Sequence, residues 1–104
     1  MRKAKIYVRG VEAGTLTELQ QGKEYSFEYL DRYKGPEVSR TIPKNIKLYK
    51  FDKFPPFFDG LLHEGFQLEG LLKIKKIDKK DYFSQLIAVG DDMVGFVTVK
   101  EIAE

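Results

Sequence analysis

The chain has 104 residues, 42% hydrophobic and 33% charged, a composition that fits one globular domain and excludes a disordered tail. A domain of this length buries about 60–65% of the surface its unfolded chain exposes, enough for one modest core but not for a core plus a deep substrate cleft. Eighteen Lys and Arg against 16 Asp and Glu leave a formal charge of +2, too balanced to point to nucleic acid, and the lack of cysteine excludes disulfides and thiolate metal sites.

The N-terminal Met1-Arg2-Lys3-Ala4-Lys5 is basic, but no apolar run of signal-peptide length follows it. No stretch approaches the roughly 20 apolar residues that span a bilayer. The expectation is a soluble cytoplasmic protein.

The first half alternates with period two. Within Lys3–Arg9, Ala4, Ile6 and Val8 share one face, which predicts a half-buried antiparallel strand. Gly10 and Gly14 bracket a turn, and Thr15–Leu19 returns as a second strand. Gln21-Gly22 makes the next turn, because glycine tolerates the positive φ of a tight hairpin. Glu24–Tyr29 alternates again, with Tyr25, Phe27 and Tyr29 in one row. That row is either a core face or a platform on which RNA bases stack, and the near-neutral charge favours the core. After Gly35-Pro36 come two more strand candidates, Val38–Ile42 and Ile46–Phe51, separated by Pro43. The second sets Lys47, Tyr49 and Phe51 against Ile46 and Leu48.

The second half changes period. Pro55-Pro56 suits the first turn of a helix, where the missing N–H costs nothing, and Phe57–Leu62 follows as a short helical turn. Gly65 interrupts. A further helix over Phe66 to about Lys76 carries the stripe Leu68, Leu71 and Leu72. Phe66 lies about 160–180° from that stripe, on the side of Ile77, so it is a candidate contact residue, with ordinary packing as the alternative. Asp78 is the expected N-cap of a last helix and Asp81 a carboxylate near its positive end. Phe83, Leu86 and Ile87 form the apolar stripe and Gly90 the C-terminal stop. Val94–Val99 is strongly β-prone and should return to the sheet. Strands, helices and a closing strand predict an α+β domain: an antiparallel sheet of about five strands packed with two to three helices.

Catalytic groups are scarce. His63, the one histidine, has Glu64 beside it, but adjacent helical residues diverge by about 100° and no second histidine completes a metal site. The serines stand in no G-x-S-x-G setting, and neither phosphate-loop pattern occurs. Asp91-Asp92 without further oxygen ligands is a weak cation site, more simply a solvated turn. No cofactor or metal is expected. The chain reads as a binding module, not an enzyme.

Several segments together resemble a known family. Ile6-Tyr7-Val8-Arg9-Gly10 leads through Gly14-Thr15-Leu16 to Tyr25–Tyr29, then to the run Pro56-Phe57-Phe58-Asp59-Gly60-Leu61-Leu62-His63-Glu64-Gly65, and on to Asp81–Asp92 and Gly95. From about Lys5 to Val99 the chain is similar to the N-terminal subdomain of HipA-family toxin kinases. His63 stands where that family commonly has proline, and Phe66 where tryptophan is frequent. A full HipA continues into the kinase lobes that hold ATP and the catalytic Asp, whereas this sequence stops at Glu104. A free-standing copy resembles HipS, the small component of tripartite HipBST toxin–antitoxin systems.

The resemblance implies an antitoxin that binds and inhibits a HipT-like Ser/Thr kinase toxin, with a HipB-like DNA-binding protein as a further member of the complex. Kinases of this family phosphorylate aminoacyl-tRNA synthetases and so arrest translation. The expected kinase contact is the segment with Phe57, Phe58, Asp59, His63, Glu64, Phe66 and Gln67. The alternatives are an N-terminal regulatory fragment of a longer HipA kinase and an aromatic-faced RNA-binding module.

Overall fold

The computed structural model describes residues 2–64, 77, 80–90 and 97–102. The strands are β1 (Arg2–Val8), β2 (Val11–Gln20), β3 (Glu24–Tyr29), β4 (Leu48–Phe51) and β5 (Val97–Glu101). Two helices, α1 (Pro56–Glu64) and α2 (Tyr82–Gly90), lie between β4 and β5 among the described residues. The sheet is antiparallel throughout, in the order β4-β3-β2-β1-β5. This is the α+β architecture that the change of period predicts.

The β1–β2 hairpin turns on Arg9 and Gly10, at φ 52° and 82°, with Val8 paired to Val11. Two positive φ values in a two-residue loop match the right-handed twist of the flanking strands, and only glycine takes the second without strain. Gly14, expected to bracket this turn, lies inside β2. There Ile6 pairs with Gly14 and Tyr7 with Glu12, so Ala13 is the extra residue of a bulge. A side chain at position 14 would stand 2.3 Å from the Glu28 carbonyl oxygen. The β2–β3 turn follows the expected Gln21-Gly22, with Gly22 at φ 74° and the Lys23 N–H donating to Gln20 O at 2.9 Å.

One face of the sheet carries the core. Ala4, Ile6, Val8, Leu16, Tyr25, Phe27 and Tyr29 are all buried beneath Phe58 and Leu62 of α1 and Phe83 and Leu86 of α2. Phe27 meets Tyr29 edge-on at 4.9 Å and Phe58 at 6.2 Å, and Tyr25 meets Phe54 edge-on at 5.3 Å. The Tyr25–Phe27–Tyr29 row is therefore core, and no base can stack on it. That removes the surface on which the RNA-binding alternative rested.

Val38–Ile42 is not a strand. It contributes a single bridge, Ser39 to Ile42, within the long connection from β3 to β4. Tyrosine hydroxyls from the sheet satisfy this connection instead. Tyr29 Oη donates to Ile42 O and accepts from the Val38 N–H at 3.0 Å, while Tyr49 Oη donates to Pro43 O at 2.6 Å. Burial pushes the Tyr29 hydroxyl above its ordinary range, which keeps it protonated as a donor. Val38 and Ile42 drop into the core between these anchors.

Pro55 and Pro56 open α1 as expected, the first helical bond running from the Asp59 N–H to Pro55 O at 3.0 Å. The cap of α2 is Asp81, not Asp78, which lies outside the described residues. The Ser84 N–H donates to Asp81 Oδ1 at 3.1 Å, and the Gln85 N–H closes the first turn on Asp81 O. The helix expected over Phe66–Lys76 and the start of the expected last strand also lie outside the described residues; Val97–Val99 joins β5.

Gly90 is the last residue of α2, where the C-terminal stop is expected. It is a buried helical residue where α2 crosses β5, and a Cβ there would lie 2.3 Å from Val99 O and 2.9 Å from Val99 Cβ. Gly60, in contrast, is exposed with nothing within 4 Å of an added Cβ. Gly90→Ala is expected to cost about 1–3 kcal/mol through overpacking. Gly60→Ala should stabilise α1 by up to about 1 kcal/mol. Urea midpoints of the two variants, moving in opposite directions, check both.

Candidate interaction surface

The expected contact segment starts in α1, and the helical period divides it. Phe58 is fully buried against Phe27 and belongs to the core, so its ring is not on offer to a partner. Phe57 is half-buried, with its ring edge-on to Phe58 at 5.2 Å, and Asp59 beside it is half-exposed. Phe57 is thus braced from below while part of its ring stays open to solvent. His63 and Glu64 close α1, and their side chains lie outside the described residues, as do Phe66 and Gln67 entirely. Ile77, expected beside Phe66, is half-buried. Of the seven expected contact residues, α1 therefore places Phe57 and Asp59 at the surface and withdraws Phe58.

A second cluster fixes the start of α2, the helix that packs beside α1. The Arg2 guanidinium grips Glu18 with two bonds, Nε to Oε1 at 2.7 Å and Nη2 to Oε2 at 2.9 Å. The same group donates to Asp81 Oδ1 at 2.8 Å and to Ser84 Oγ at 2.6 Å, and Ser84 Oγ donates in turn to Asp81 Oδ2 at 2.8 Å. Tyr25 Oη reaches Glu18 Oε2 at 3.4 Å and accepts from the Gly22 N–H at 3.0 Å. Arg2 also lies 5.0 Å over the Phe83 ring. Glu18 is only 5% exposed, and a carboxylate so buried persists only when paired.

Burial opposes ionisation of Asp81, but the bonds from Arg2 and Ser84 outweigh it and hold the carboxyl below its ordinary range. Arg2 is held above its own range, chiefly by its bond to Glu18. The cluster is structural: every polar group in it is used by another. Among the described residues no group of three or more His, Cys, Asp or Glu side chains is placed to hold a metal ion.

The sequence places Asp81 near a helix end and Arg2 in a basic N-terminus. The Asp81-x-x-Ser84 spacing is a local signal of the cap. The link from Arg2 to Asp81 has no local signal, since 79 positions separate them.

Two measurements check the cluster. Arg2→Ala strands the Glu18 carboxylate and should cost about 1–3 kcal/mol in urea unfolding at neutral pH. Because the folded-state pKa of Asp81 is depressed, its contribution is present above the ordinary carboxylate pKa of about 4 and is lost as the pH falls through the folded value. The acid limb of a stability–pH curve should accordingly be shallower in Asp81→Asn than in the wild type.

Residues 4–100 match the family model of the HipA N-terminal domain. The fold superposes on a solved structure named as the N-terminal domain of HipA toxin, with a TM-score of 0.76 and 28% identity, covering 100% of this chain and 95% of that one. An uncharacterized protein of Haemophilus influenzae is 29% identical over 101 residues, 97% of this chain and 93% of that protein. The family model spans residues 4–100, and the chain belongs to the HipA N-terminal domain family.

Proposed function

We propose that this chain is an antitoxin of the HipS type, which binds a HipT-like Ser/Thr kinase and inhibits it by direct contact. The observation that carries this reading is the family match over residues 4–100, to a domain whose solved relative is named as part of a toxin. The Haemophilus influenzae relative supports it, because 93% of that protein is spanned by this one domain. In this reading the domain supplies no kinase chemistry of its own. It acts by occupying a kinase made elsewhere.

The contact is the segment that begins in α1. Phe57 offers a half-open ring on a rigid base and Asp59 a neighbouring carboxylate. His63, Glu64, Phe66 and Gln67 extend the segment, with Phe66 as the aromatic anchor of the kind that dominates protein interfaces. Phosphoryl transfer depends on exact positioning of metal, phosphate and base, so a wedge that stops the kinase lobes closing around ATP is sufficient for inhibition. A HipB-like DNA-binding protein completes the complex in this reading, in the cytoplasm. Among the described residues no helix is long and apolar enough to cross a membrane.

The name of the solved relative also favours a second reading, in which the domain is the N-terminal regulatory part of a longer HipA-type kinase. Mixing this chain with a HipT-like kinase that lacks the subdomain separates the two. Inhibition in trans is expected, with Phe66→Asp losing kinase binding and rescue of toxin-arrested growth while its fold is retained. Unchanged phosphorylation in the mixture overturns the antitoxin reading, and full rescue by Phe66→Asp overturns the anchor.

A further inference from the structure

The near-neutral charge of the chain conceals a segregation. Residues 31–53, the β3–β4 connection with β4 and the turn after it, hold seven of the 18 cations and three of the 16 carboxylates. Arg32, Lys34, Arg40, Lys44 and Lys50 are all exposed. Among the described residues Lys47 is the one cation of this segment within ion-pair distance of a carboxylate, paired with Asp31 and with Glu28 at 3.8 Å. The connection that carries this charge is not loose, being tied to the sheet by the Tyr29 and Tyr49 hydroxyls.

The same segment ends on an open sheet edge. Among the described residues β4 pairs with β3 alone. The Tyr29 N–H donates to Lys47 O at 2.9 Å, and Tyr49 and Phe51 face Phe27 and Tyr25 in the same phase. By the alternation of an antiparallel ladder, Leu48 and Lys50 turn their N–H and C=O groups away from the sheet. Tyr49 and Phe51 pack toward the core, leaving Leu48 46% exposed, with Ile46 49% exposed just before it. Among the described residues the edge therefore offers unpaired backbone groups, two aliphatic side chains and two exposed lysines outside ion-pair distance of any carboxylate, Lys50 and Lys44, the latter 5.5 Å over the Tyr33 ring.

These features decide the occupant. Edge lysines repel a second copy of the same edge, because pairing two β4 strands brings both sets of cations together. A phosphate backbone would meet the cations but make no use of the strand amides or of Ile46 and Leu48. An extended acidic polypeptide uses all of them. We propose that the β4 edge accepts, as an added strand, an acidic segment of a partner protein whose aliphatic residues pack on Ile46 and Leu48 and whose carboxylates meet Lys44 and Lys50. This surface belongs to β4 and not to α1, and the inference does not rest on the kinase-binding reading.

The test uses the full chain and a fluorescent peptide Glu-Thr-Val-Thr-Val-Thr-Glu, which sets its glutamates and valines on one face of a strand as Lys44, Ile46, Leu48 and Lys50 are set, read by anisotropy at low salt, where exposed charges are least screened. Controls are the matching lysine–valine peptide and single-stranded oligodeoxythymidylate. The acidic peptide alone should bind, slowing amide exchange at Leu48 and Lys50. Lys50→Glu should weaken it about tenfold or more. Leu48→Pro should abolish binding with the fold intact, because the N–H it removes faces outward and not toward β3. If that variant unfolds, Lys50→Glu and the exchange rates carry the result. No binding of the acidic peptide, unchanged binding by a folded Leu48→Pro or by Lys50→Glu, or equal or tighter binding of the oligonucleotide overturns the proposal.

Discussion

Arg2 joins β1, β2 and the cap of α2 in one hydrogen-bonded cluster, and the placement of the last helix depends on it. The guanidinium is planar and presents a fork of donors, so it engages Glu18 through two bonds and still reaches Asp81 and Ser84. Lysine in its place would keep the charge and lose the geometry. With α2 fixed at its N-terminus by this cluster, its far end can approach β5 closely enough that only glycine fits at position 90. The two constraints act at opposite ends of one helix. Together they bring β5, far from β1 in sequence, to the edge of β1, where Ile6 faces Val99.

The rest of the core follows from that frame. α1 and α2 cover the same face of the sheet, and Phe27 at its centre meets Phe58 from above. Burying Phe58 is what tilts Phe57 and Asp59 outward, since neighbouring positions on a helix diverge by about 100°. The surface proposed as the kinase contact is thus a consequence of core packing: an aromatic pair in which one ring anchors and the other remains half-buried. Between β3 and β4, the tyrosine hydroxyls impose order on a connection that has almost no regular structure of its own. Long connections without internal ladders must satisfy their backbone groups elsewhere, and here the sheet supplies the donors and acceptors.

Much of this was legible in the residues. Period-two alternation in Lys3–Arg9 and Glu24–Tyr29 located β1 and β3 and named their buried faces. The double proline located the start of α1, and the F-F-D-G-L-L run pointed to the family that residues 4–100 match. The errors have a common cause. Val38–Ile42 has the composition of a strand, but Tyr29 captures its backbone groups before a ladder can form. Gly14 reads as punctuation because glycine usually is, and Gly90, which does end α2, shows no more than that in the sequence. Their actual role, admitting a neighbouring backbone, depends on what lies opposite them in space. Phe58 read as a contact residue because a pair of aromatics says nothing about which ring turns inward.

By itself, the sequence determined the fold class, the buried face of the early strands, the start of α1 and the family, because alternation, proline geometry and motif spacing are local properties of a chain. Only the tertiary structure decided that the Phe57–Phe58 pair splits between surface and core, and that the cation-rich segment 31–53 carries the strand at one edge of the sheet. It alone also decided that Arg2 would meet Asp81 across 79 positions. Those outcomes depend on which distant segments come to lie side by side, and nothing in the spacing of neighbouring residues encodes that.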